Sequence, residues 1–240
     1  MASSEIYYMK NPIRKIFNKV GLDLHKYRKE AERLVWLSSL NIKTVFDIGA
    51  NIGQVATEIR ERLPLAQIYS FEPIKECYEQ LIVNFVNDKN FRAFNCALGE
   101  TDGSLNMNKS PYTPSSSLLV MADSHKQLFP HTKNNKSESI DIRRLDEVSN
   151  EINLEKEILI KVDTQGYEDK VIAGGMKTFL QAKVTIMEAS FICLYEGQPL
   201  FDDIYEKMKS LGFAYNGALH QKINPKTGEV IFEDAIFVRN

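Results

Sequence analysis

The 240-residue sequence lacks most of the features that mark whole protein classes. It has three cysteines, Cys77, Cys96 and Cys193, an odd number at wide spacing. That excludes a disulfide scaffold and any cysteine metal cluster, and reads as reduced core residues of a cytoplasmic protein. No apolar run approaches the ~20 residues of a membrane span. Met1-Ala2-Ser3-Ser4-Glu5 lacks the charged start and apolar run of a secretory signal. Lys and Arg number 30 against 32 Asp and Glu, a formal net charge of -2, so nucleic acid finds no electrostatic footprint. Neither a G-x-x-x-x-G-K-[ST] phosphate loop nor a G-x-G-x-x-G dinucleotide turn is present, and there is no internal repeat.

What is present is an apolar share of 43%, enough for the core of one large domain. The informative stretch is Thr44-Val45-Phe46-Asp47-Ile48-Gly49-Ala50-Asn51-Ile52-Gly53. Val45, Phe46 and Ile48 predict a buried strand over 43–48. Gly49 and Gly53 open a turn into a helix over 53–62, and small residues there let backbone lie against a ligand. A second apolar strand over 66–72 ends on Glu72, followed by Pro73. A carboxylate at that tip, beside a glycine turn at the tip of the first strand, suits the hydroxyls of a ribose. Asp47, just inside the first tip, repels a pyrophosphate but welcomes a cationic amino-acid group. The pattern therefore favours S-adenosylmethionine over a dinucleotide.

Further along, Leu34, Val35, Leu37 and Leu40 mark an inward helical face, with Trp36 in the core. Ile74, Cys77, Tyr78, Leu81, Ile82, Phe85 and Val86 mark a second helical stripe. Phe91–Leu98 reads as a third strand whose end, Asn95, Cys96 and Ala97, borders an adenine ring. A turn at Thr101-Asp102-Gly103 predicts a hairpin into 104–108. Residues 109–137 lose periodicity and read as a lid loop. In it Ser116 and Ser117 are candidate donors to a cofactor carboxylate. Glu157–Val162 is another buried strand, ending in Asp163, and a helix after it is broken in two by Gly174-Gly175. A strand over 183–187 ends on Glu188. Asp47, Glu72, Asp163 and Glu188 thus gather at the carboxyl ends of successive strands, the ligand-binding edge of an open α/β sheet. Their repulsion calls for a cation or proton. A helix from Phe201 to Leu211 and a C-terminal pair of strands joined at 224–228 complete the chain.

Taken together, Phe46–Gly53, Phe71-Glu72-Pro73, Ala97-Leu98-Gly99, Ser115–Ser117, Lys161–Glu168 and Asp234–Val238 resemble the FkbM family of methyltransferases in order and spacing over roughly 30–240. Many members carry glutamate where this chain has Gln165. The resemblance implies a class I methyltransferase fold: an α/β Rossmann-like, mostly parallel sheet with an antiparallel C-terminal hairpin and helices on both faces. It also implies S-adenosylmethionine as donor and O-methylation of a hydroxyl on a sugar (polysaccharide or glycolipid) or a secondary metabolite. On this reading residues 31–240 are the methyltransferase domain. Residues 1–30, with Lys10, Arg14, Lys15, Lys19, Lys26, Arg28 and Lys29, form a basic amphipathic arm suited to packing on its own domain or to peripheral contact.

Asp47 and Asn51 would then hold the amino-acid end of the cofactor, with Gly49, Ala50 and Gly53 allowing close approach. Glu72, beside Pro73, would accept from the ribose. Candidate bases are Asp163, Glu188 and His125, with His220 as a fourth. No residue set has metal-ligand spacing, so no metal is expected. Two rival readings are an inactive scaffold, which Gln165 and the basic arm favour, and a nicotinamide dehydrogenase, which tolerates Asp47→Asn.

Overall fold

The computed structural model describes residues 30–239, and the basic arm lies almost wholly outside them. A 3-10 helix over Glu30–Leu40 leads in. With three residues per turn, side chains three apart share a face. Leu34 and Leu37 are therefore buried, while Val35 is 49% exposed, against the inward placement expected of it. Trp36 is only partly buried against the core.

The chain then alternates strand and helix. β1 (Thr44–Ile48), α1 (Gln54–Arg62), β2 (Gln67–Phe71), α2 (Lys75–Asn84) and β3 (Phe91–Phe94) form the first half. β7 (Ile158–Val162), α5 (Glu168–Gly174), α6 (Met176–Phe179), β8 (Ala182–Ser190) and α7 (Phe201–Ser210) form the second, closed by β9 (Ala214–Ile223) and β10 (Val230–Val238). The helix after β7 is split at Gly175, as the Gly174-Gly175 pair predicts. The sheet order is β3-β2-β1-β7-β8-β10-β9. The first five strands are parallel, and β10 runs antiparallel to both β8 and β9. This is the mostly parallel α/β sheet with a reversed C-terminal hairpin.

Strand alternation builds two cores. Phe46, Ile48, Ile160 and Val162 face a layer that includes Val171, Phe179 and Met208 from α5, α6 and α7. Val45, Ile68, Leu159 and Val184 face the other layer, with Ala56 and Ile59 of α1 and Leu81 of α2. The stripe read on α2 is narrower than its periodicity implies. Ile74, Cys77, Leu81 and Phe85 are buried, but Ile82 is 43% and Val86 72% exposed. Cys77 and Cys96 are buried, whereas Cys193 is exposed and not a core residue.

Three other expectations are corrected. The single strand over 91–98 divides, because Asn95 turns its amide back to the carbonyls of Glu72 and Pro73. β4 (Ala97–Leu98) thereby leaves the main sheet and joins a second one, in the order β4-β6-β5. In it β5 (Gly103–Lys109) pairs antiparallel with β6 (Lys136–Arg143), not with the strand before it, so no local hairpin forms. The stretch 109–137 is not structureless either. It holds a 3-10 turn at Thr113–Ser115, α3 (Asp123–Leu128), and bridges from Ser117 to Asn108 and from Met121 to Tyr195. Among the described residues no helix is long and apolar enough to cross a membrane. α4 (Leu145–Asn150) links β6 to β7.

Candidate active site

A cavity enclosing about 660 Å³ of space, part of it open to solvent, lies over the carboxyl ends of β1, β2 and β7. Gly49, Asn51, Glu72 and Pro73 line one side. Cys96, Ala97 and Ser116 line another, and Asp163, Thr164 and Gln165 a third. Apolar surface comes from Phe71, Ile74, Leu98 and Met107. Of the residues singled out in the sequence, Asp47, Ala50, Gly53, Asn95, Ser117, Glu188, His125 and His220 do not line it.

On the β1–β2 side, main chain does most of the work. Glu72 accepts one backbone N–H on each oxygen, from Asn51 and from Ile74, both at 2.8 Å. Burial pushes its pKa up to about 7, against the pull of those two bonds. Each oxygen keeps a further lone pair. Asn51 is left-handed, φ 50°, and its amide donates to Thr113 Oγ1. At both glycines the missing Cβ makes room for the protein's own atoms. At Gly49, φ 75°, a Cβ would meet the Asp163 carbonyl oxygen at 1.9 Å. At Gly53 it would strike Leu81 and Phe85 at 2.7 Å. Ala50 is packed in the core beside α1.

On the β7–β8 side, side chains do the work. Lys161, a residue the sequence did not single out, is buried with its ammonium 3.7 Å from Asp47 and 3.6 Å from Asp163. It also donates to the Gly49 carbonyl at 3.2 Å. Burial opposes its charge, but Asp163, Asp47, Asp234 and Glu188 outweigh that and hold its pKa above the ordinary value. The cationic group beside Asp47 is therefore the chain's own lysine. Asp47 is fully buried, and its pKa is raised by burial despite Lys161 and a bond from Ser70. It cannot hold the cofactor directly, and that expectation is corrected. What brings Lys161 to Asp47 is the register of β1 with β7, which the sequence alone does not show.

Asp163 stays partly open, its side chain 33% exposed. Its Oδ1 accepts from the Gln165 amide at 2.8 Å. The same amide nitrogen donates to Glu188 at 3.0 Å. Glu188 is buried, and burial, then Asp163, raises its pKa well above the carboxylate range. Bonded to Gln165 and away from the cavity wall, it is not placed to act as a base.

The remaining candidates sit elsewhere. His125 is enclosed by Phe129 and Tyr195, each edge-on with ring centroids at 5.0 Å. Neither ring nitrogen has a partner, and burial lowers its pKa to about 4. It reaches no reacting group and is not a base. His220 is exposed on the edge strand β9. Ser117 turns its hydroxyl to the Gln165 carbonyl at 2.7 Å. Ser116 accepts from the Ser110 N–H, which leaves its own proton free.

This geometry coincides with a family match: the methyltransferase FkbM domain aligns with residues 47–215, which includes every wall of the cavity. The chain belongs to the FkbM methyltransferase family. Membership makes S-adenosylmethionine its cofactor. The cavity suits that molecule: free lone pairs on Glu72 for ribose hydroxyls, apolar walls for an adenine, and the Ser116 proton for a carboxylate. Among curated relatives, the 2-O-methyltransferase NoeI of Sinorhizobium fredii is 31% identical over 164 residues, 64% of this chain and 66% of that protein. Methyltransferase sdnD of Sordaria araneosa is 29% identical over 153 residues, 54% of this chain and 59% of that protein. The chain thus spans just under two thirds of the first and less of the second. Among solved structures, SMU.1697c of Streptococcus mutans in complex with SAH is 12% identical, with a TM-score of 0.48 over 90% of this chain and all of that one. Likeness that distant says nothing of what this chain does.

Proposed function

We propose that this FkbM-family chain transfers a methyl group from S-adenosylmethionine to a hydroxyl oxygen of a sugar or a secondary metabolite. The observation that carries the reading is Asp163: a partly open carboxylate at the tip of the central strand β7, in the wall of the cavity and beside a buried ammonium. Of the two curated relatives, the one named for its position of attack is a 2-O-methyltransferase, which favours a hydroxyl acceptor.

S-adenosylmethionine, when bound, supplies a methyl carbon activated by the adjacent positive sulfur. The chain's residues do the rest. Glu72 accepts from the ribose, and Pro73, Cys96 and Ala97 border the adenine. Asn51 and Ser116 face the amino-acid end. The cavity walls align the reactants and exclude water. An aliphatic hydroxyl is a weak nucleophile, and Asp163 takes its proton as the carbon–oxygen bond forms. Lys161 sets a positive charge 3.6 Å from Asp163.

A second reading, cofactor binding without turnover, draws on Asp163 having both oxygens already engaged, by Gln165 and Lys161. Calorimetric titration with S-adenosylmethionine, followed by measurement of S-adenosylhomocysteine formed with hydroxylated sugars, separates the two. Asp163→Asn should lower kcat by about 10²–10⁴-fold while leaving cofactor affinity within a few-fold. Equal turnover by that variant ends the role of Asp163 as base. No cofactor binding by the wild type ends the whole reading.

A further inference from the structure

Gln165, in the turn between β7 and α5, has a left-handed backbone at φ 57°. That conformation is disfavoured for a residue with a Cβ. Something must hold it, and part of the answer is the Ser117 hydroxyl on its carbonyl. The result is an amide aimed with all its hydrogen-bonding groups in use. Nε2 donates to Asp163 Oδ1 at 2.8 Å and to Glu188 Oε1 at 3.0 Å. Oε1 accepts from the Tyr195 hydroxyl at 2.9 Å. The opposite orientation would set the carbonyl oxygen against two carboxylates, so the network fixes this one.

The charges facing this point come from several elements. Lys161 and Asp163 belong to β7 and the turn after it, and Asp47 to β1. Asp234 of β10 stands opposite Glu188 in register. Glu168 of α5 turns its Oε1 to the Thr164 and Gly166 N–H groups and to the Thr164 hydroxyl. The ion pairs of Lys161 go to Asp47 and Asp163. Between Asp163 and Glu188 the bridging donor is the Gln165 amide.

We infer that Gln165 is a positioning residue whose amide takes the place that a shared proton or a divalent cation would otherwise fill between Asp163 and Glu188. It sets N–H donors between Asp163 and a second acid. Two neutral N–H groups can do this because each carboxylate takes one, and Tyr195 prevents the amide from turning over. A carboxylate at position 165 would instead set a third oxygen pair against the first two, a ligand set that hard cations favour. The catalytic consequence rests on the methyl-transfer reading above. The electrostatic content does not.

Two near-isosteric variants of the whole chain test this by thermal unfolding. Gln165→Glu should melt below the wild type without divalent cation, and millimolar magnesium or calcium should raise its Tm by about 3 °C or more. The wild type should not respond. Gln165→Met removes both N–H groups at similar size, so the two carboxylates must share a proton. The Glu188 pKa, already above its ordinary value, then rises further without the Gln165 bond, and the stability tied to it is lost as pH rises. The deficit of Gln165→Met should therefore be larger at about pH 8 than at about pH 5. A packing role alone predicts equal deficits. A folded Gln165→Glu that ignores cations, or a Gln165→Met deficit equal at both pH values, overturns the inference. If the Glu variant does not fold, the Met variant decides. Titration of the wild type with S-adenosylmethionine reports separately on methyl transfer, and its failure leaves both stability arms in force.

Discussion

At the tips of β1 and β2 the carboxylate of Glu72 is held by backbone N–H groups from its own neighbourhood. At the tips of β7 and β8, Asp163 and Glu188 are held by side chains: Lys161 and Gln165, the latter aimed by Tyr195. The first half depends on the shape of a turn. The second depends on which residues stand there and on strand alignment. A turn tolerates changes of side chain but not of backbone freedom, and the charged network tolerates the reverse. The halves meet at Gly49, whose carbonyl accepts from Lys161 and whose missing Cβ makes room for Asp163.

The difference is sharpest at Lys161. Lys161→Met leaves Asp47 fully buried without its cation, and should cost about 3–5 kcal/mol in urea unfolding. Adding Asp47→Asn should return part of that loss. A cost below ~1 kcal/mol means the β7–β8 half is not held by this charge, and the contrast fails. The turn half has its own extreme in Gly49→Ala, which combines positive φ with a contact to backbone. The expected loss is about 2–4 kcal/mol.

Glu168 mixes the two designs, since it sits on the β7 side but is satisfied chiefly by main chain. Burial raises its pKa from 4.5 to about 7. With the folded value above the unfolded one, the stability it contributes is present below pH ~4.5 and lost as pH rises toward ~7. Glu168→Gln keeps an acceptor oxygen for the three donors and removes the titration. It should be neutral at about pH 4 and stabilising by about 2–3 kcal/mol at about pH 8. A variant that destabilises at both pH values would show that its charge, not its acceptor oxygen, matters.

His125 gives the smallest effect. It packs behind Tyr195, outside both halves, with two unpartnered ring nitrogens. His125→Phe should stabilise by about 1 kcal/mol near neutral pH. The folded pKa of about 4 lies below the ordinary 6.5, so acid favours the unfolded state across that interval. The Phe variant should lose that acid sensitivity. If its unfolding also changes cofactor affinity, the network behind Tyr195 reaches further than its contacts show.

The same contrast explains what could be read in advance. The β1–β2 half is written in consecutive residues: Gly49 to Gly53 and Phe71-Glu72-Pro73 announce a turn and a strand tip. Strand alternation and the Gly174-Gly175 break were equally legible, because each is local. Lys161 was not, since an ammonium in a buried strand has meaning only beside Asp47, 114 positions earlier. The Tyr195 contact with Gln165 is hidden for the same reason. Val35, Ile82 and Val86 were misplaced because an apolar side chain that fits a helical period can still face solvent where nothing packs over it. The departure of β4 from the main sheet turned on one amide, that of Asn95, reaching back across a bend.

Asp47 is matched in register with Ser70 of β2 and with Lys161 of β7. The three make one polar line across strands that are otherwise nearly all apolar. Greasy parallel strands hold little information about how far each should slide along its neighbour. Shift β7 by one position and the ammonium is driven among aliphatic side chains on the wrong face. The line therefore works as an alignment mark, penalising misthreaded sheets before any ligand is met.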